Sequence, residues 1–294
     1  MFQPKPFIKT TILYFLILFT FIFYACNYQE NLADKKQNTT TTLSKDSNAK
    51  TEKPFVDSNI LKFKRKTFTY DSTKTYIYLT FDDGPSYGTE TCYNICKNEN
   101  IKATFFMIGR NATNKVGKYL AQKIKNDYPQ ILLANHSYTH TNERYKYFYE
   151  HPAIAEQDFY KAQDTLSVPF KIIRLPGNSA WVDKNGIRKS SNLVKSVCKK
   201  LDSAGYNVMG WDVEWHFTRG ESYPVQTPGK LATEVNYAAR GYSHTPNHVV
   251  ILTHDRMFRT PAFSDSLIKF IKIIKSNPNY VFETIDNYPN LKFD

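Results

Sequence analysis

Short apolar runs alternate with amphipathic stretches along most of this chain, the rhythm of strand–helix units and not of a β-meander. Runs at 76–81, 103–108, 131–134, 171–173, 206–211, 249–253 and 280–284 predict seven strands. The clearest helix is predicted over 191–204, where Leu193, Val194, Val197, Cys198 and Leu201 share one face. Ser190 or Ser191 can cap its start, and Gly205 can end it. The stretch 218–246 exceeds an ordinary strand–helix connection and predicts an inserted helix around 230–239. Seven strands separated by helices give an α/β fold with a mainly parallel sheet, open or closed into a barrel. No internal repeat is present.

The N-terminus breaks this rhythm. Lys5 and Lys9 precede an uncharged apolar run over 11–25, the charged and apolar regions of a signal peptide. The run is shorter than the roughly 20 residues that span a bilayer as a permanent helix. Its end, Phe23-Tyr24-Ala25-Cys26, resembles a bacterial lipoprotein processing site, in which Cys26 is lipidated and becomes the mature N-terminus. An uncleaved anchor and an ordinary secretory signal are the alternatives. All three put the domain outside the cytoplasm, and a lipidated Cys26 makes it membrane-anchored in the cell envelope. Asn, Gln, Thr, Lys, Ser and Asp dominate 26–55, which predicts a flexible polar tether. A lead-in segment over 56–74 and a catalytic domain over 75–294 complete the expected organisation.

Composition narrows the class further. With 294 residues, 41% of them hydrophobic, the chain can bury a sizeable core, which excludes disordered and collagenous proteins. Four cysteines, one of them Cys26, are too few for a disulfide framework. Cys92 and Cys96, four apart on one predicted helix, are expected to pack and not to bridge. The net charge of +12 favours anionic partners without naming one. Nucleic acid is excluded by the leader and by the lack of a recognised binding motif. An aromatic content of 15% suits a sugar-binding cleft, although most such rings belong to the core.

Ionisable groups follow five of the predicted strands. Asp82 and Asp83 follow the first, His136 the third, Arg174 the fourth, Asp212 the fifth and His254 the sixth. In parallel α/β folds the carboxyl ends of strands form one rim where ligands converge. Singly, each group has a bland explanation: Asp82-Asp83-Gly84-Pro85 is turn chemistry, a His-x₃-His pair is usually coincidence, His254 is a rim histidine, and Arg174 and Asp212 are an ion pair or caps. Together they form a kit. Two imidazoles and one carboxylate are a common ligand set for catalytic zinc, and one helical turn would aim His136 and His140 the same way. A second carboxylate can act as base, and a further histidine can protonate a leaving group.

The strings Thr80-Phe81-Asp82-Asp83-Gly84-Pro85, His136-Ser137-Tyr138-Thr139-His140, Arg174-Leu175-Pro176 and Leu252-Thr253-His254 occur in the order that characterises polysaccharide deacetylases of the NodB-homology type, carbohydrate esterase family 4. The chain resembles that family over roughly residues 75–294. The resemblance implies a distorted (β/α) barrel of about seven parallel strands and metal-dependent removal of acetyl groups from carbohydrate, usually N-acetylglucosamine units. It implies Asp82 as general base, His254 as general acid and Arg174 as the residue orienting Asp82. Asp83, His136 and His140 become ligands of a divalent metal, zinc first and cobalt or nickel as alternatives. Asp212 is the candidate carboxylate for raising the pKa of His254.

Two departures stand out. The family commonly carries an aromatic after Arg-x-Pro, whereas Gly177 and Asn178 follow Pro176 here, which keeps a backbone N–H for an oxyanion but removes one pocket wall. The usual Asp-x-x-Asp-Trp motif is one residue shorter, Asp212-Val213-Glu214-Trp215, so either Asp212 or Glu214 is expected to support His254. Gly177, Glu214, Trp215 and Leu252 are the expected substrate-binding residues, although packing would account equally for Trp215 and Leu252. Of the remaining histidines, His151, His216, His244 and His248, only His216 is placed to touch substrate.

The leading expectation is N-deacetylation of an acetylated amino-sugar polymer, peptidoglycan or a chitin-like glycan. An O-acetyl esterase acting on xylan-like glycan would need the same groups. A non-catalytic glycan-binding protein is disfavoured, because binding alone requires no base-plus-ligand set. The expected partners are the acetylated polysaccharide and the membrane, with no obligate protein partner.

Overall fold

The computed structural model describes Arg65 and residues 68–293. The leader, Cys26 and the tether lie outside the described residues. All seven predicted strands form: β1 (Thr75–Gly84), β2 (Ala103–Met107), β3 (Ile131–Asn135), β4 (Ile172–Ile173), β7 (Asn207–Val208), β9 (His248–His254) and β10 (Tyr280–Phe282). Three short strands were not predicted, β5 (Trp181–Asp183), β6 (Gly186–Lys189) and β8 (Val213–Glu214).

The sheet runs β6-β5-β7-β4-β3-β2-β1-β9-β8, with β10 pairing the start of β1. Every pairing from β7 through β8 is parallel, whereas β5 runs antiparallel to both β6 and β7. The expected barrel is therefore a curled half-barrel, with β8 and β6 as its two ends. Its helices are α1 (Thr89–Asn98), α2 (Lys115–Asn126), α3 (Tyr145–Glu150), α4 (Pro152–Leu166), α5 (Lys195–Ser203), α6 (Pro228–Tyr237) and α7 (Pro261–Lys275). The predicted insert is α6. The helix predicted over 191–204 begins later, at Lys195, with no side-chain cap from Ser190 or Ser191. Gly205, at φ +78°, ends it: its N–H bonds the Asp202 carbonyl and the Tyr206 N–H bonds the Leu201 carbonyl, a Schellman closure.

Burial on both faces explains why the central strands read as continuous apolar runs. Alternation then sorts their side chains. Ile77, Leu79 and Phe81 pack outward against the helices with Phe105, Leu133 and Ile251. Tyr76 and Tyr78 face inward with Phe106, Leu132, Ala134, Ile172 and Val250. Continuing the inward parity by two or four residues reaches Asp82 on β1, His136 beyond β3, Arg174 beyond β4 and His254 on β9. The apolar filling of the half-barrel thus ends in a ring of polar groups at the carboxyl ends of the strands.

The loop after β1 docks tightly on the segment after β9. A Cβ at Gly88 would lie 1.8 Å from the Asp255 carbonyl oxygen, although the φ of −97° there suits any residue. Gly88 is required for space alone. Gly88→Ala is expected to destabilise the domain by about 3 kcal/mol through overpacking, read as a lowered denaturation midpoint.

Candidate active site

Adjacent strand residues normally face opposite sides, yet Asp82 and Asp83 share one cleft. The pairing of β1 with β2 jumps from Asp82↔Phe106 to Gly84↔Met107, so Asp83 is an extra, bulged residue, at φ +74°. Both carboxylates consequently reach His136 Nε2, at 3.6 Å from Asp82 Oδ2 and 3.5 Å from Asp83 Oδ1.

His140 reaches the same point by a route the sequence did not predict. No helical turn joins it to His136; Ser137, His140, Thr141, Asn142 and Glu143 all have positive φ, from 50° to 69°. Local hydrogen bonds hold this costly backbone. The Ser137 N–H donates to Asn135 Oδ1, the His140 N–H to Ser137 Oγ, and the Tyr138 and Thr139 N–H groups both donate to Asp158 Oδ1. His140 Nε2 then lies 3.2 Å from Asp83 Oδ1.

Asp83, His136 and His140 place one ligand atom each within 4.8 Å of one another. Three observations fit this set to a divalent ion. His136 Nδ1 sits 2.9 Å from the Arg174 carbonyl, which requires a proton on Nδ1 and leaves the Nε2 lone pair facing the cluster. Asp83 Oδ1 is buried and accepts no hydrogen bond. Burial pushes the Asp83 carboxyl up, but the neighbouring imidazoles of His136, His140 and His254 outweigh it, holding the group well below the usual carboxylate range. An ionised oxygen and two nitrogens in a buried niche are what a zinc-type site needs.

Asp82 is fixed from behind. Arg174, fully buried, donates from Nη1 to Asp82 Oδ1 at 2.9 Å, from Nη2 to the Gly210 carbonyl at 3.0 Å and from Nε to the Met209 carbonyl at 3.3 Å. Across the cleft, His254 Nε2 lies 3.8 Å from Asp83 Oδ2, with its ring edge-on to Phe217. Burial lowers the His254 pKa, opposed by the charges of Asp83 and Asp82.

The expected support for His254 is absent. Asp212 Oδ1 accepts from the His244 N–H at 2.6 Å and Oδ2 from the Val250 N–H at 2.8 Å, so Asp212 ties the approach to β9 and does not reach His254. Glu214 lines the cleft but pairs with His216, 3.3 Å from its Nδ1. His254 Nδ1 accepts and donates no hydrogen bond among the described residues. Trp215 is likewise no pocket residue: just past β8, it shares the outward parity of Val213 and packs fully buried against Phe258 and Phe270. Gly177 and Leu252 do line the cleft.

Five residues to which sequence reasoning gave no site role complete the walls: Tyr145, Leu175, Trp211, Phe217 and Arg256. Tyr145 supplies the wall that the glycine after Pro176 removed. A Cβ at Gly177, which has φ +62°, would lie 2.8 Å from the Tyr145 ring, and the Tyr145 hydroxyl is 3.4 Å from His140 Nδ1. Arg256, two residues after His254, brings Nη1 to 3.1 Å from Asp83 Oδ2. Cys92, Cys96 and Cys198 are free and buried away from the cleft, and burial pushes each thiol up.

The family model described as polysaccharide deacetylase matches residues 69–192, the span that holds the first three motifs. Over that span the chain is similar to the polysaccharide deacetylase family. It is 26% identical to a chitin disaccharide deacetylase of Vibrio alginolyticus, over 76% of this chain and 74% of that protein. A peptidoglycan-N-acetylglucosamine deacetylase of Bacillus cereus is also 26% identical, over 66% of this chain and 65% of that protein. In fold, the chain matches a family 4 carbohydrate esterase of Streptococcus mutans with a TM-score of 0.55, at 23% identity over 72% of this chain and 86% of that one.

Two outcomes follow from the carboxylates beside the cleft. Asp212→Asn, which replaces one of the two carboxylate oxygens that accept from backbone N–H groups, is expected to cost about 1–3 kcal/mol of stability while leaving the pH profile of activity unmoved, because no contact links it to His254. Asp255 is fully buried, and burial raises its pKa to about 6 despite hydrogen bonds from Ser86 and Thr89. A carboxyl with a higher pKa folded than unfolded makes the native state bind the extra proton, so its contribution to stability falls as pH rises from about 4 to about 6. Denaturation of the chelated protein across that window is expected to show this slope, and Asp255→Asn is expected to flatten it.

Proposed function

We propose that this protein hydrolyses acetamido groups on an amino-sugar polymer, releasing acetate and leaving a free amine. One observation carries the reading: the base candidate Asp82, the ligand set Asp83, His136 and His140, and the acid candidate His254 converge in a single cleft of about 270 Å³. A binding protein has no use for a carboxylate held by a buried arginine beside an ionised ligand set.

A divalent ion held by Asp83, His136 and His140, zinc by preference and cobalt or nickel as alternatives, supplies Lewis-acid polarisation of the acetyl carbonyl and acidifies water. Asp82, pinned by Arg174, accepts the proton of the water that attacks the carbonyl carbon. Gly177 lines the cleft, and its N–H is the donor proposed for the negative charge that grows on the carbonyl oxygen. As the C–N bond breaks, His254 gives its proton to the departing nitrogen from the opposite side. Tyr145, Trp211 and Phe217 enclose the acetyl group and limit water around it.

N-Acetylglucosamine units are the proposed substrate, and the deacetylases named among its relatives support that choice. The charged and apolar run over 1–25 and the Cys26 that follows it support the further proposal of an exported, lipid-tethered protein, for which peptidoglycan is the nearest such polymer.

Acetate release by the full chain, loaded with zinc, decides the matter on N-acetylchito-oligosaccharides, peptidoglycan and acetylated xylan. Release from an amino sugar is expected, with a loss of about 10³-fold or more for Asp82→Asn and for the chelated enzyme. Release from xylan alone would replace the amide reading with an ester one. No release from any of the three, with zinc bound, would overturn both.

A further inference from the structure

A second groove, of about 530 Å³, adjoins the catalytic cleft and shares Glu214 with it. The catalytic cleft, at about 270 Å³, falls below the roughly 300–1,000 Å³ usual for ligand sites, so it is small for more than one sugar unit. The groove lies where the half-barrel stops. β8 is the last strand of the sheet, and α6 crosses beside its free edge.

That edge is already finished. The Gln226 side chain accepts from the His216 N–H at 2.8 Å and donates to the Glu214 carbonyl at 2.8 Å and to Glu234 Oε2 at 3.1 Å, taking the place of a neighbouring strand. The groove is therefore not a sheet edge waiting for another strand. Its floor carries the polar pair Glu214–His216, and its outer wall carries Tyr237 and Tyr242. These two rings stack at 4.1 Å between centroids and 9° between planes, yet they are 57% and 65% exposed. Gly241, at φ +106° with open space around its Cα, is the turn that folds Tyr242 back over Tyr237. The chain thus uses a left-handed glycine to hold a flat aromatic surface in solvent, beside groups that can accept and donate hydrogen bonds.

We infer that this groove is a distal sugar subsite, in which the Tyr237–Tyr242 surface stacks on the apolar face of a pyranose ring, with Glu214 and His216 lining the groove toward the catalytic cleft. Its occupant is a unit of the same polymer, outside the unit being deacetylated. A glycan strand leaves the catalytic cleft past Glu214 through the open side of the half-barrel. The inference rests on the deacetylase reading of the neighbouring cleft.

The test compares N-acetylchitobiose with N-acetylchitohexaose on the full chain loaded with zinc, for wild type, Tyr237→Ala/Tyr242→Ala and Tyr237→Phe/Tyr242→Phe. The alanine pair is expected to raise KM for the hexamer about tenfold, with kcat kept and chitobiose turnover within about twofold. The phenylalanine pair, which keeps the stacking faces, is expected to behave as wild type. Equal losses on both lengths, or none on either, would overturn the subsite. If no acetate is released by wild type, the deacetylase reading fails separately, and calorimetric titration with N-acetylchitohexaose decides the subsite. Binding that the alanine pair weakens supports it, and an absence of binding or of any weakening refutes it. A response only to glycan bearing peptide stems would assign the groove to peptide instead.

Discussion

Everything at the catalytic rim leans on one buried guanidinium. Arg174 has no solvent exposure, sits over the Phe106 ring and donates to groups on β1 and on the segment that follows β7. Its backbone carbonyl receives His136 Nδ1, so the same residue sets the angle of the base and the tautomer of a metal ligand. Removing one partner from such a buried pair strands the other charge, at a cost of about 3–5 kcal/mol. The arrangement is stable only because Arg174 is satisfied on several sides, and those acceptors exist only when β1, β4 and β7 are assembled.

Around this anchor, two irregularities do what regular structure cannot. A bulge at Asp83 turns neighbouring carboxylates into one cleft, and a run of left-handed residues bends His140 back toward His136. Both are costly locally and both are braced from elsewhere, by Asp158 in α4 for the histidine turn and by Arg256 and the two imidazoles for Asp83. The close docking of Asp255 on Ser86, Gly88 and Thr89 then fixes the distance between the β1 rim and the β9 rim, and so between Asp83 and His254.

The open half-barrel trades closure for access. A closed barrel would bury the edge of β8; here Gln226 satisfies that edge with a side chain, and the space beside it stays open next to the cleft. The loss of an aromatic after Pro176 is compensated in a similar way, because Tyr145 enters from α3 and packs over Gly177, where any other side chain would collide with it. In both places a function usually met by a neighbouring residue or strand is taken over by a distant one.

The seven predicted strands, the rim they share and the groups standing on it were legible in the sequence, since strand periodicity and strand ends are local properties. So was the closure of α5 at Gly205, which depends on one residue's freedom at positive φ. The β5–β6 hairpin carried a readable signal in Asn185-Gly186, but its strands are too short and polar to show alternation. What opposes what across the cleft was not legible. Asp212 and Glu214 were equal candidates to support His254 until the register of β8 against β9 put Asp212 on backbone N–H groups and Glu214 on His216. The same register turned Trp215 outward into the helix layer. Local sequence determined which chemistry stands at each strand end; only the order, register and curl of the sheet decided which of those groups meet, because those contacts join residues far apart in the chain.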